Sequence, residues 1–366
     1  MIRKNGVMSP YIVFFLPALI LYGTWFLYSR AHGGLAFAYA AIGFIFVAIP
    51  LADLAASRLR RGAGAQATPA LTRPASETAI VVLSLPLQIV NIFFFAWYLA
   101  TRDPTLWESA VLVLIAGILS ALYAQNPAHE LIHHGSRFER VVGTMLFSTS
   151  IYSGAKLAHV HSHHLLVATE RDPTSAKYGQ SLYAFLPRAV AVNLFGWWGA
   201  DAMRARPGLR WRRRIVLENL LGYSMSLLWA LLIGGLFGAA ALAFFVLQSA
   251  IGILVLEMMN YIGHYGLERR VDAGGRMEPV SERHAWDCDL PFSNLVLISV
   301  QKHADHHIHP ARAYGALHCA PGSPRLPLSY PLLFLLTLTP CLWRRVIHPR
   351  LDAYRAGHGL HRRQAA

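Results

Sequence analysis

The sequence is poor in charged residues and in cysteine. Only 14% of its 366 residues are charged, 55% are hydrophobic, and the mean hydropathy is +0.38. Soluble domains carry about 25% charged residues, so this composition indicates an integral membrane protein. Three widely spaced cysteines cannot build a disulfide framework, an iron–sulfur centre or a rubredoxin-type site. Any electrons that the protein uses must therefore come from another protein.

Acidic residues are also scarce, with 19 Asp and Glu against 33 Lys and Arg, which gives a net charge of +14. The basic residues gather between apolar segments, as they do in cytoplasmic loops of membrane proteins, so the charge does not require a nucleic-acid partner. If the chain crosses the membrane six times, Arg3 and Lys4, residues 57–76 and residues 204–214 all lie on one side. We therefore predict a bacterial inner-membrane protein with cytoplasmic N- and C-termini.

Six apolar segments approach the length of about 20 residues that a spanning helix needs. They cover residues 11–28, 35–51, 78–99, 107–124, 215–236 and 239–259. A seventh apolar run, residues 326–343, contains three prolines and is predicted to be a surface or re-entrant segment. The expected fold class is an all-α integral membrane protein with six transmembrane helices.

Histidine is abundant, and twelve of the 18 histidines lie in four short segments on the predicted cytoplasmic side. These segments are AHELIHHG (residues 128–135), HVHSHH (159–164), NYIGHYG (260–266) and HADHHIH (303–309). Helical residues three and four apart share a face, so we expect each multi-histidine set to direct two or three imidazoles at one point. The aligned sets are His129 and His133; His159, His163 and His164; and His303, His306 and His307, while His264 stands alone.

Neutral imidazoles gathered at a membrane face need a shared partner, and metals such as Zn, Fe, Cu or Ni fit best. HELIH also matches the H-E-x-x-H pattern of zinc proteases, in which Glu130 would be the general base. A single catalytic zinc takes three protein ligands and would leave most of the histidines without a function. Nine histidines fit two metal ions better, and we interpret these as two irons that activate O2. Glu257 is expected to accept a hydrogen bond from a ligating histidine, and His134, His161 and His309 to act mainly through hydrogen bonds.

HELIHH, HVHSHH, NYIGHYGL and LISVQKHADHHIHP resemble the four histidine boxes of the integral-membrane alkane monooxygenases, relatives of the membrane fatty-acid desaturases and xylene monooxygenases. The likeness covers about residues 123–354. It implies a non-haem di-iron centre, O2 as co-substrate, electrons from rubredoxin or ferredoxin with an NAD(P)H-dependent reductase, and conversion of medium- or long-chain n-alkanes to 1-alkanols. The implied metal ligands are His129, His133, His159, His163, His164, His264, His303, His306 and His307.

The sequence departs from the pattern of this family at several positions. Ala158 and Gly263 stand where glutamates are expected, and His134 replaces a lysine or arginine. The carboxylates that remain as catalytic candidates are Glu257, Asp305 and Glu130. A fatty-acid desaturase, a xylene-type methyl hydroxylase and a fatty-acid decarboxylase that forms 1-alkenes therefore remain open as alternatives, with a membrane zinc metalloprotease or a non-catalytic metal binder more distant.

The expected organisation is one membrane-embedded catalytic domain over residues 1–366 with a cytoplasmic, histidine-rich di-iron cap. Residues 1–125 form the first four spans, residues 126–214 carry boxes one and two, residues 215–260 form the last two spans, and residues 261–366 carry boxes three and four and the C-terminal segment.

Overall fold

A computed structural model of the chain describes residues 9–59, 74–134, 136–195, 208–271 and 274–359. These ranges form helices joined by turns and loops, with isolated backbone bridges but no β-strand. The all-α prediction is confirmed. In chain order the helices are α1 (Pro10–His32), α2 (Ala36–Arg58), α3 (Ala75–Arg102), α4 (Leu106–Ile132), α5 (Arg137–Ser148), α6 (residues 153–166), α7 (Leu182–Phe195), α8 (Leu209–Phe237), α9 (Ala239–His264), α10 (Pro291–Val296), α11 (His303–Ile308), α12 (Tyr330–Thr337) and α13 (Pro340–Gly357).

Six of these helices, α1, α2, α3, α4, α8 and α9, are long and apolar enough to cross a membrane. The number of spans agrees with the sequence, but α4 and α9 run further than the apolar runs predicted, to Ile132 and His264. Backbone hydrogen bonds continue the helix after the apolar side chains end. The first and third histidine segments therefore extend two spanning helices and are not separate loops.

Alternating spans place the end of α2, the start of α3, the end of α4, the start of α8 and the end of α9 on one side. That side also carries the histidines. Of the basic segments that set the predicted orientation, Arg3 and Lys4 lie outside the described residues. Residues 57–76 and 204–214 are described only in part.

Helices α4 and α9 pack in close backbone contact. A Cβ atom added to Gly117 of α4 would lie 2.4 Å from the Cβ atom of Ile251 on α9, so this crossing needs glycine. At the N-terminal end of α4, far from His129, a capping box joins Thr105 and Glu108, each side chain bonding the other residue's backbone N–H. The close contact between Gly117 and Ile251 fixes α4, which carries His129, against α9, which carries His264.

The seventh apolar run folds as α12 and the start of α13. Helix α12 has eight residues and is too short to cross a bilayer, as its prolines predict. Tyr330 and Leu333 are buried, whereas Leu335 and Leu338 are exposed. The run therefore packs beside the spanning helices and presents one apolar edge outward.

Candidate metal centre

All nine histidines that the family likeness implies as ligands come together where α4 and α9 end. The first cluster contains His129, His133, His159 and His306, and the second contains His163, His264, His303 and His307. Within each cluster, one ring nitrogen from every residue lies within 4.8 Å of the others. His164 lies between the clusters: its Nε2 is 3.0 Å from Nε2 of His159, and its ring centre is 4.6 Å from that of His307.

Boxes two and four divide their histidines between the clusters. Boxes one and four each direct two imidazoles at one cluster, as expected. Box two does not, because His159 and His163 lie in different clusters. In α6, the N–H of His164 binds the C=O of His159, which forms one wide turn with a five-residue repeat. This turn brings His159 and His164 together and directs His163 to the second cluster. In α11, His303 and His307 share the second cluster while His306 belongs to the first.

The second cluster has the atom spacing of a metal site. Nε2 of His303 lies 3.0 Å from Nε2 of His264 and 3.2 Å from Nε2 of His307. Neighbouring nitrogens around one metal ion lie about 3 Å apart when each metal–nitrogen bond is about 2.1 Å. Nε2 of His163 is buried without a hydrogen-bond partner, so its lone pair is free for a ligand.

The first cluster and His164 also offer unpaired nitrogens, at Nε2 of His133, Nε2 of His306 and Nδ1 of His164. Burial, followed by the neighbouring histidines, lowers the pKa of these three imidazoles well below its usual value. The rings are therefore neutral at pH 7, which is the form that binds metals. Buried and unpaired nitrogens in both clusters fit two metal ions.

Asp172 fixes the orientation of His163 and was not singled out from the sequence. Its Oδ2 accepts a 2.8 Å hydrogen bond from Nδ1 of His163, and its side chain is 1% exposed. Burial would raise the pKa of Asp172, but His163 and hydrogen bonds from Ser175 and Thr174 lower it to about 2. The signal available was the polar stretch DPTS, which begins eight residues after the last histidine of the second box. His264 is oriented in a similar way, since its Nδ1 donates to the carbonyl of His284 at 2.9 Å.

Glu257 is fully buried near the clusters, but its hydrogen-bond donors differ from the prediction. It accepts from the Tyr152 hydroxyl at 2.5 Å, from Asn193 Nδ2 at 2.7 Å and from Asn260 Nδ2 at 3.1 Å, and not from a ligating histidine. Seven residues of helix separate Glu257 from His264 by about 10 Å along the axis, which puts a direct bond out of reach.

A small cavity of about 30 Å³ links this carboxylate to the histidines, since Asn193 and Asn260 line it together with His129, His159 and His163. Its size suits one water molecule. The Glu257 network thus borders the first and second clusters through polar side chains.

Glu130 and Asp305 bind residues on the outer side of the clusters. Oε1 of Glu130 lies 2.9 Å from Nε2 of His134 and accepts from the backbone N–H of Tyr314 at 3.3 Å. Asp305 pairs with Arg312 and with Nδ1 of His309 at 3.0 Å. His134 and His309 therefore bond carboxylates. His161 packs against Trp211, with ring centres 5.7 Å apart.

Gly263 leaves no space for a side chain beside the second cluster. A Cβ atom at this position would lie 3.0 Å from Cδ2 and 3.3 Å from Nε2 of His303. The glutamate that the family pattern places here could not fit without movement of His303. Ala158 is buried on α6 directly before His159.

An apolar pocket of about 450 Å³ lies between α2, α4, α9 and α12. Leu114, Leu335 and Leu338 line it and are also exposed, so the pocket opens onto a surface of exposed apolar side chains. Its lining continues inward to Asn126 and Met258. Asn126 precedes His129 by one helical turn, so the pocket ends near the first cluster.

The sequence model of the fatty acid desaturase family matches residues 105–320. Alkane 1-monooxygenase 2 of Alcanivorax borkumensis is 40% identical over 248 residues, which cover 67% of this chain and 64% of the relative. Alkane 1-monooxygenase 2 of Pseudomonas aeruginosa is 33% identical over 88% of this chain and 86% of the relative. Alkane 1-monooxygenase 1 of the same organism is 32% identical over 95% and 91%.

Proposed function

Because the chain belongs to the fatty acid desaturase family and, within it, to the alkane 1-monooxygenases, we propose that it uses O2 to hydroxylate the terminal carbon of medium- or long-chain n-alkanes. The chain is an oxygenase and a multi-pass membrane protein. The observation that carries the proposal is the pair of histidine clusters at the inner end of an apolar pocket. One catalytic unit over residues 1–366 would comprise the spans, the pocket and the clusters.

The nine histidines would hold two iron ions. His129, His133, His159 and His306 with the adjacent His164 would bind one ion, and the four histidines of the second cluster would bind the other. When bound, the two ions supply the activation of O2 and the oxidation of the C–H bond. The protein gathers the ligands and fixes their directions.

The pocket would position the alkane end-on. Leu114, Ile118 and Leu122 recur every four residues on α4, and Asn126 continues this lining before His129. From Leu114 to Asn126 the helix rises about 18 Å, which gives an extended apolar path toward the clusters. Exposed leucines at the mouth would admit substrate from lipid. An alkane that enters in this way presents its terminal carbon first, which accounts for a 1-alkanol product.

Glu257 would hold and deliver protons to the centre. Its hydrogen bonds to Tyr152, Asn193 and Asn260 join it to the water-sized cavity beside His129 and His163. A carboxylate one water away from the reacting groups is within the reach of acid–base catalysis. Glu130 and Asp305 would act differently, by fixing the segments that carry the first and fourth boxes.

Electrons would come from rubredoxin or ferredoxin and an NAD(P)H-dependent reductase, since the chain has no cysteine-ligated centre. Arg210, Arg212, Arg213 and Arg214 are exposed on the first two turns of α8. Positive charge there would attract an acidic carrier and increase its association rate. This face would be cytoplasmic, in a bacterial inner membrane with both termini on the same side.

Product analysis tests this function. Membranes containing the protein would receive a rubredoxin, its reductase, NADH and ¹⁸O2, together with n-alkanes, xylene and free fatty acids. The expected product is a labelled 1-alkanol, and a His303→Ala/His306→Ala variant, which removes one proposed ligand from each cluster, should form none.

A labelled benzylic alcohol, a terminal alkene or an unsaturated fatty acid, with alkanes unchanged, would contradict the substrate assignment. Peptide cleavage with one zinc per chain would contradict the oxygenase chemistry as well.

A further inference from the structure

The loop between α6 and α7 carries a buried carboxylate, Asp172, which lies outside the nine histidines. Oδ2 of Asp172 accepts hydrogen bonds from Nδ1 of His163 at 2.8 Å and from the Ser175 hydroxyl at 2.6 Å. Oδ1 accepts from the backbone N–H of Thr174 at 3.0 Å and from its hydroxyl at 2.7 Å. Four donors hold the carboxylate in one orientation.

This hydrogen bonding decides which nitrogen of His163 can bind a metal. Nδ1 lies between Asp172 Oδ2 and the Thr174 oxygen, 2.7 Å away, so it carries the proton. Nε2 then presents its lone pair, and it is buried without a hydrogen-bond partner beside the rings of His264 and His307. Asp172 therefore prepares His163 as a ligand of the second cluster.

The loop is also joined to the segment that follows the third box. The N–H of Gly266 binds the carbonyl of Ala176 at 2.8 Å, and the N–H of Arg269 binds the carbonyl of Ala168 at 2.8 Å. These bonds fix the loop against the end of α9, directly after His264. Asp172 is thus held in place relative to His163 and His264, which both belong to the second cluster.

A carboxylate bonded to a ligating imidazole orients the ring and raises its basicity, and its loss typically lowers metal affinity about 10- to 100-fold. In the first cluster the rings pack mainly on each other, with His129 centred 4.5 Å from both His159 and His306. We propose that Asp172 is a positioning residue that strengthens metal binding at the second cluster alone, so that the two metal positions are inequivalent. This inference rests on the proposed two-metal function.

Chelator competition and ⁵⁷Fe Mössbauer spectroscopy on the purified full-length protein test the inference. Asp172→Asn should release one of its two irons at a chelator concentration about 10- to 100-fold lower than the wild type requires. One of two iron signals should change and the other should remain. Glu170→Gln, which removes an exposed charge from the same loop, is the matched control and should behave like the wild type.

Thr174→Val is the second variant, because it keeps the carboxylate but removes the hydroxyl that contacts both Asp172 and His163. It should shift the same signal by a smaller amount, and it remains informative if Asp172→Asn does not fold. The inference would be overturned if both irons were bound more weakly to the same extent. It would also be overturned if both variants had the spectra and the iron release of the wild type. The proposed function would stand in either case. A wild-type protein that binds fewer than two metals would overturn the proposed function, and this inference with it.

Discussion

Replacement of Gly263 by alanine should damage the second cluster while leaving the fold intact. The added Cβ atom would lie 3.0 Å from Cδ2 of His303, about 0.4 Å inside the 3.4 Å at which ordinary contact begins. The imidazole of His303 would have to move by at least that amount. Metal ligands need to be held within about 0.5 Å of their working positions, so the shift uses most of this tolerance.

Opposite effects on stability and on metal binding make this prediction specific. In a helix, alanine is more favourable than glycine by about 0.5–1 kcal/mol, so Gly263→Ala should not lower the helical stability of α9. A misplacement of 1 Å near the chemistry can reduce activity about 100-fold, and we expect a loss of roughly tenfold from a shift of this smaller size. Gly263→Glu, which introduces the glutamate of the family pattern, should lose more.

The assay combines iron content, thermal unfolding and turnover of an n-alkane. Gly43→Ala on α2 is the matched control, because a Cβ atom there meets nothing within 4 Å. Gly263→Ala should lose iron from one position and retain the unfolding temperature of the control. If it keeps two irons and wild-type turnover, the close packing of His303 on Gly263 does not constrain the site, and the reasoning is refuted.

Three further predictions address the proton path, the pocket and the carrier. Glu257→Gln should keep two irons but slow turnover by about 10²- to 10⁴-fold if this carboxylate transfers protons, and unchanged single-turnover kinetics would exclude that role. Ile118→Trp should lower the maximum chain length of the n-alkanes that are hydroxylated without changing the iron content, because the larger ring fills the pocket between Leu114 and Leu122. Competition among alkanes of different length measures this limit, and an unaltered product profile would place the substrate elsewhere. Replacing Arg212 and Arg213 with glutamine should reduce the salt dependence of carrier-supported turnover, whereas an unchanged dependence would locate the docking site on another surface.

The sequence predicted the fold and the nearness of the histidines because both follow from local patterns. Apolar runs identified six spans, and the i,i+4 spacing of His129 and His133 correctly placed both in one cluster. The division of the second box was not predictable, because it depends on a wide turn at His159–His163. Such a turn is stabilised by tertiary contacts and leaves no periodic signal in the sequence.

The groups around the histidines were harder to predict. Glu257 was recognised as a functional candidate, yet its donors lie far away in the sequence, with Tyr152 in the turn before α6 and Asn193 on α7. Asp172 escaped notice because one aspartate in a polar loop resembles any turn residue until the fold brings it to His163. The pocket is likewise formed by segments from α2 to α12, which sequence spacing alone cannot bring together.

The proposed function requires that each of the two histidine clusters hold one iron ion. Its most direct test is the metal content of the purified wild-type protein, measured by elemental analysis against protein concentration. We predict two irons per chain and no stoichiometric zinc. One metal ion per chain, or zinc in place of iron, would contradict the account.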